Sequence, residues 1–249
     1  MGLVLPDPLP AGGASSTGTV RGGGAIAYLL DAVRLRPGGR RLLSALAILL
    51  VLAGAVMFAF PLGTDVYATQ VLQQRLEEQF AELSLPTAAG TYDPATVATG
   101  EPLTRIVVPR IGVSAVVVQG TSASALRAGA GHYPTTPLPG EAGNVAIAGH
   151  RTSFGKPFNR LDELRVGDEI RLETPIATHV YRVSPRPQEV GGGCANGACW
   201  ITGPQDWAVV GPTDRASLTL TTCHPKGSAR QRLILRAELT QTLPPPPAS

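Results

Sequence analysis

The residues best suited to chemistry lie in one short run, LTLTTCHPKGSARQRLIL at 218–235, where a strand-like segment ends on Cys223 and a group of arginines follows. A cysteine so placed has four readings: an inert buried thiol, half of a disulfide, a metal ligand or a nucleophile. Alternation in LTLTTC puts Leu218, Leu220 and Thr222 on one face and Thr219, Thr221 and Cys223 on the other. The thiol thus ends a hydroxyl-lined face at a strand tip, and His224 turns to the opposite face. A nucleophilic thiol needs a proton partner and positive surroundings that favour the thiolate. His150 matches the first need, where the apolar strand in NVAIAGHRTSFG terminates at Gly-His and opens into a loop. Arg232, at the start of RLILRAEL, carries a fork of donors suited to an oxygen on which charge develops. Arg230 and Arg236 share its parity, but the spacing from Cys223 and the apolar run that follows favour Arg232.

The other two cysteines, Cys194 and Cys199, sit in the Gly-rich stretch GGGCANGACW and are a candidate local disulfide, which leaves Cys223 odd. A zinc site would have to combine Cys194, Cys199, Cys223 and His224, but the spacing departs from the usual ligand pattern and the adjacent Cys-His pair points to opposite faces. No metal or other cofactor is expected. Among the remaining histidines, His132 in GHYP reads as a packing or hydrogen-bonding residue, and His179 as a half-exposed residue within the strand THVYRV.

These residues need a scaffold and an address. From Leu42 to Thr64 the chain carries no charge, and an apolar run of this length as a helix crosses a hydrocarbon core of roughly 30 Å. Arg21, Arg34, Arg36, Arg40 and Arg41 precede it against Asp7 and Asp31, which predicts a cytoplasmic N-terminus and an extracytoplasmic remainder. A cleaved signal peptide fits less well, because the apolar run is longer and follows a longer leader than such peptides have. The expected organisation is a disordered basic tail at 1–41, a transmembrane helix at 42–62, a stalk and linker at 63–102, a folded domain at 103–240 and a Pro-rich tail at 241–249. Within the stalk, Val66, Leu72, Leu76, Phe80 and Leu83 approach a helical repeat.

From Leu103 onward the pattern changes to short Val-, Ile-, Leu- and Thr-rich runs broken by Gly or Pro: LTRIVVPRI, SAVVVQG, GNVAIAGH, EIRLETP, THVYRVSP, WAVVG, SLTLTTC and RLILRAEL. This predicts an all-β barrel or sandwich, with helical turns in SALRAGAGHY and PFNRLDEL. The net charge is only +3, and no Lys/Arg stripe is interleaved with aromatics, so nucleic-acid binding is not expected.

Taken together, TLTTC at 219–223, RLIL at 232–235 and AGHRT at 148–152 resemble the signature segments of the sortases, membrane-anchored cysteine transpeptidases of Gram-positive bacteria. GHYPTTPLPGEAGNVAIAGHRTSFGKPFNRLDEL, with TTCHP, looks most like the class E, actinobacterial housekeeping branch. The resemblance covers roughly residues 103 to 240. It implies a closed β-barrel of about eight strands. It further implies that Cys223 is the nucleophile, His150 the acid/base and Arg232 the oxyanion stabiliser, with Thr221, Thr222 and Ala148 as candidate substrate-binding residues. The implied reaction cleaves an LPxTG-type sorting signal, LAxTG in class E, between Thr and Gly and passes the acyl group to an amine. The implied partners are surface proteins that carry the signal, a peptidoglycan precursor or pilin amine, and the membrane. A different class of reading is a non-catalytic surface-binding barrel in which Cys223 is a core thiol.

Overall fold

The computed structural model describes residues 37–85, 88 and 90–245. The expected disorder of the tail up to residue 36, and the end of the Pro-rich tail at 246–249, lie outside the described residues. The chain divides into two compact units, Met1–Val56 and Met57–Ser249. In the first, the described residues are helical and belong to helix α1, Pro37–Val66. Its segment Gly38–Phe60 has a mean hydropathy of 2.7 and none of its residues is buried, so by length and composition it suffices to cross a membrane.

Past α1, a π-helical segment at Tyr67–Leu72 leads into α2, Gln73–Leu83. The strands are β1 (Pro102–Val108), β2 (Val113–Gln119), β3 (Ala130–His132), β4 (Asn144–Gly149), β5 (Glu169–Glu173), β6 (Thr178–Val183), β7 (Cys199–Thr202), β8 (Ser217–His224) and β9 (Gln231–Leu243). A helical turn, α3 (Ala123–Ala128), precedes β3. Strand order is β6-β5-β1-β2-β3-β4-β8-β9-β7, and an extra β6–β9 pairing closes eight of the strands into a barrel. Closure is possible because β9 is 13 residues long. On one edge it pairs with β8, and on the other it takes β7 along Arg232 to Leu235 and β6 from Ala237 to Leu243.

Burial follows strand parity. Ile106 and Val108 of β1, Val145 and Ile147 of β4, Leu218 and Leu220 of β8, and Leu233 and Leu235 of β9 join one core cluster. Their neighbours in sequence, Ala146, Ala148, Thr219, Thr221 and Ile234, therefore point out of the barrel. Fully burying an aliphatic side chain of this kind stabilises by about 1.5 to 3 kcal/mol, so the interior fixes which face each strand turns outward.

The stretch read as stalk and linker is tied to the barrel. Leu76 and Phe80 of α2 are buried with Val116, Val118 and Ala125, and Glu77 pairs with Arg105. Gln73 acts as a surrogate peptide group. Its Oε1 accepts from the Val116 amide at 2.9 Å, and its Nε2 donates to the carbonyls of Val116 and Ala128. That amide would otherwise be an unpaired strand-edge donor, since the pairing of β2 with β3 starts only at Val117. Tyr92 also donates its hydroxyl to the Leu103 carbonyl at 2.7 Å, and burial raises its pKa to about 12.

Two local readings change. WAVV at 207–210 is a 3-10 turn, not a strand, and Trp207 stays 64% exposed. The Val209 carbonyl is instead taken by the side chains of Asn144 and Arg236. Conversely, CWIT at 199–202, whose first two residues close the Gly-rich stretch GGGCANGACW, is β7, with its register set by β9. The turns in SALRAGAGHY and PFNRLDEL are α3 and a 3-10 turn at Leu161–Glu163.

Candidate active site

β4 and β8 run parallel in the register Asn144↔Ser217 through Ala148↔Thr221. Two residues beyond that last pair, each strand reaches its chemical residue, His150 on one and Cys223 on the other. β9 lies antiparallel on the far side of β8 with Arg232 directly opposite Cys223. All three side chains share the outward parity, and two strand spacings, roughly 10 Å, span them. The row stands at one rim of the barrel, at the C-terminal ends of β4 and β8 and the N-terminal end of β9.

The local sequence explains how each residue is held. A Cβ on Gly149 would stand 2.6 Å from the Phe158 ring, so the glycine lets Phe158 pack under the end of β4. The Phe158 amide then donates to the His150 carbonyl at 3.2 Å. The His150 ring is half-buried, with the Phe154 ring 5.1 Å away. Burial lowers its pKa from the ordinary 6.5, which keeps the imidazole neutral at neutral pH. Cys223 is half-buried and is the free thiol among the described residues, because Cys194 and Cys199 are joined in a disulfide with their Cα atoms 5.3 Å apart. That bridge fastens the Gly-rich loop to the first residue of β7. Arg232 is half-buried, and its Nη1 donates to the carbonyls of Ala229 at 2.9 Å and Gln231 at 3.0 Å.

Register separates the rival arginines. Arg236 lies two pleat repeats deeper, opposite Thr219. It donates to Thr219 Oγ1 at 3.2 Å and to the Val209 carbonyl at 2.9 Å, and its guanidinium lies 5.5 Å from the centroid of the Trp200 ring. Arg230 precedes β9 and is exposed.

Of the candidate substrate-binding residues, Ala148 and Thr221 are neighbours on the outward face, 8% and 4% exposed, directly below the row. Thr222 is not brought there. It faces the barrel interior, is 3% exposed and donates its hydroxyl to the Gly149 carbonyl at 2.7 Å. The alternation of the strand groups it with Leu218 and Leu220, away from the row.

Two residues at the site escaped the sequence reading. The Tyr133 hydroxyl lies 3.1 Å from Thr221 Oγ1, on the face that carries Cys223. Its only signal was an amphipathic aromatic directly after a short strand. Arg151 is 3% exposed and bonds to the Cys223 carbonyl and the His224 ring. Its signal was a charge directly after the histidine, two residues past the end of an apolar strand. His179 is 9% exposed, not half-exposed, because the Gly140 turn packs on its ring. His132 is buried, with Nδ1 2.7 Å from Gln119 Oε1 and Nε2 2.9 Å from the Pro137 carbonyl oxygen. A cavity of about 450 Å³ between α2 and the 88–102 segment, lined by Gln79, Glu82, Tyr92 and Asp93 among others, contains no residue of the row. Among the described residues, no three His, Cys, Asp or Glu side chains converge as a metal site.

A half-exposed thiol between an imidazole and a guanidinium suits acyl transfer: the imidazole can take the thiol proton and the guanidinium can bind the oxyanion. Comparison with known proteins agrees. Residues 106–240 match the family model for the sortase domain. Sortase SrtE1 of Streptomyces coelicolor is 27% identical over 172 residues, 63% of this chain and 46% of that protein. Sortase SrtE2 of the same organism is 28% identical over 232 residues, 84% of this chain and 87% of the relative. The solved structure of a Clostridium perfringens Sortase D5 transpeptidase superimposes with a TM-score of 0.58 at 27% identity, covering 68% of this chain and 99% of that one. The chain thus spans under half the length of SrtE1 but most of SrtE2 and of the D5 structure. With the family model matching more than half of its length, the chain belongs to the sortase family of cysteine transpeptidases.

Proposed function

We propose that this chain is a membrane-anchored transpeptidase that cleaves a C-terminal sorting signal of LAxTG or LPxTG type between Thr and Gly and transfers the Thr acyl group to an amine. The observation that carries the reading is the outward row of His150, Cys223 and Arg232 on adjacent strands. In the proposed cycle, neutral His150 takes the Cys223 proton, and the thiolate sulfur attacks the Thr carbonyl carbon. The carbonyl π pair moves to oxygen, and Arg232 turns its donors from the Ala229 and Gln231 carbonyls to that oxyanion. Collapse breaks the C–N bond, and His150 returns its proton to the departing Gly nitrogen. A thioester on Cys223 remains. The incoming amine attacks it and gives a proton to His150, the C–S bond breaks to free the Cys223 thiolate, and His150 returns that proton to the sulfur. The outward face below the row, with Ala148, Thr221 and Tyr133, would receive the signal.

The class E resemblance of GHYPTTPLPGEAGNVAIAGHRTSFGKPFNRLDEL and TTCHP supports LAxTG over LPxTG as the preferred signal. Surface proteins bearing the signal are the donors, and a peptidoglycan precursor or a pilin supplies the amine. The apolar helix Gly38–Phe60 is the anchor, residues before it face the cytoplasm and the barrel faces outward. No metal has a step in this cycle. The test is a turnover assay of the full-length chain in detergent with LAxTG and LPxTG peptides and an added amine. Wild-type enzyme should release the Gly fragment, form the amide and show a thioester adduct on Cys223 by mass spectrometry. Normal turnover by Cys223→Ala would sink the proposal.

A further inference from the structure

The last β4–β8 pair is Ala148↔Thr221, so His150 and Cys223 both lie beyond the pairing that joins their strands. Side-chain contacts take over there. Thr222 Oγ1 donates to the Gly149 carbonyl, and Arg151 Nη1 donates to the Cys223 carbonyl at 3.3 Å and to His224 Nδ1 at 3.0 Å. Arg151 Nη2 stands 3.0 Å from Asp162 Oδ2, and the Arg151 carbonyl accepts from Asn159 Nδ2 at 2.7 Å. One buried guanidinium therefore joins the residue after the histidine, the backbone of the thiol residue and the 3-10 turn at Leu161–Glu163.

The pairing is incomplete in an informative way. An arginine buried only to anchor a turn gains most from a two-pronged bond to its carboxylate. Here Arg151 Nε and Asp162 Oδ1 are both buried without a hydrogen-bond partner among the described residues. The ion pair is held open, and one guanidinium nitrogen reaches the strand of the nucleophile instead.

We propose that Arg151 is the positioning residue for Cys223: anchored on Asp162, it clamps the Cys223 carbonyl and the His224 ring and so fixes the sulfur relative to His150. This rests on the reading of Cys223 as the nucleophile. Because an arginine donates and does not accept, His224 must present a bare Nδ1 and carry its proton on Nε2. Desolvation, and then repulsion by Arg151, lower the His224 pKa, while Asp162 opposes them; these two are the charges that face it. Protonation of His224 removes the acceptor and sets two positive charges together, so the clamp opens in acid.

The experiment uses the full-length chain in detergent with a sorting peptide and an amine. Arg151→Gln should lower kcat about 100-fold with KM unchanged, as expected when a reacting atom is misplaced. Arg151→Lys should not restore it, because an ammonium lacks the planar fork that reaches three groups together. Arg182→Gln, which breaks a pair with Glu169 on the barrel wall, should leave kcat unchanged. Should Arg151→Gln fail to fold, ¹⁵N NMR of the histidine-labelled wild type decides. The chain has four histidines, and His224 must show the neutral Nε2–H tautomer at pH 7. Wild-type kcat in Arg151→Gln, a loss confined to KM, or a protonated Nδ1 on His224 would each overturn the proposal. Turnover by Cys223→Ala removes the nucleophile reading itself, whereas an inactive Cys223→Ala beside a fully active Arg151→Gln removes only the clamp.

Discussion

Arg232 and Arg236 sit on the same strand, face the same way and stand opposite Cys223 and Thr219 of β8, yet their surroundings differ. Around Arg236 the side chains bond to one another and to a neighbouring turn: Thr219 Oγ1 donates to Asn144 Oδ1 at 2.7 Å, Asn144 Nδ2 donates to the carbonyls of Val209 and Gly211, and Arg236 donates to Thr219 Oγ1 and the Val209 carbonyl. Burial lowers the pKa of that guanidinium from its ordinary value. Arg232 stands at the rim, and among the described residues its side chain donates to the carbonyls of Ala229 and Gln231, just before it in the chain. Two ends of one strand pair thus hold similar residues for opposite purposes. A closed network stabilises a loop, and in the proposed cycle an open one leaves donors to turn toward charge that develops on the substrate.

The contrast can be broken experimentally. The largest effect is expected at the open end. His150→Ala should cost about 10³-fold in kcat/KM, the usual range for a lost acid/base, with the melting temperature little changed. Arg232→Ala should lower kcat by about 10²- to 10³-fold, as for removal of an oxyanion donor, again with the fold intact. Arg236→Ala should show the reverse pattern. Loss of two hydrogen bonds and an aromatic contact should lower unfolding free energy by about 2 kcal/mol, while turnover per folded molecule is kept. Equal stability losses in the two arginine variants would erase the distinction.

A smaller effect is expected at the α2 docking site. Gln73→Ala leaves the Val116 amide unpaired and should cost about 1 to 2 kcal/mol, read by denaturant titration. The gentlest probe is acid. His132, His150, His179 and His224 all have pKa values lowered by burial, so the unfolded chain binds more protons than the folded one below the ordinary histidine value of 6.5. Stability should be full above that pH and fall as pH drops through the lowered values, by at most about 1.4 kcal/mol per pH unit for each extra proton. A melting temperature that rises on acidification from pH 7 to 5 would contradict this.

Local periodicity carried a large share of the reading. The uncharged run at 42–64 can only be an apolar helix, and LTLTTC already separates Cys223 from His224 and groups it with Thr219 and Thr221. The Gly-His at the end of β4 was equally plain. Failures came where local pattern and through-space partner disagree. WAVV has the residues of a strand, but side chains from β4 and β9 take up the Val209 carbonyl. CWIT sits amid glycines, yet β9 offers it a free edge.

By itself, then, the sequence determined which face of β8 carries the thiol, that an imidazole ends β4 and that a cationic group starts β9, because alternation depends only on the covalent geometry of an extended chain. Tertiary structure decided the rest. It set Arg232 directly opposite Cys223 through the β8–β9 register, tied the inward Thr222 to the Gly149 carbonyl, closed the barrel through β6–β9 and put buried Arg151 against the Cys223 carbonyl. Register, closure and burial depend on partners distant in sequence, and a residue's own neighbours along the chain carry no record of them.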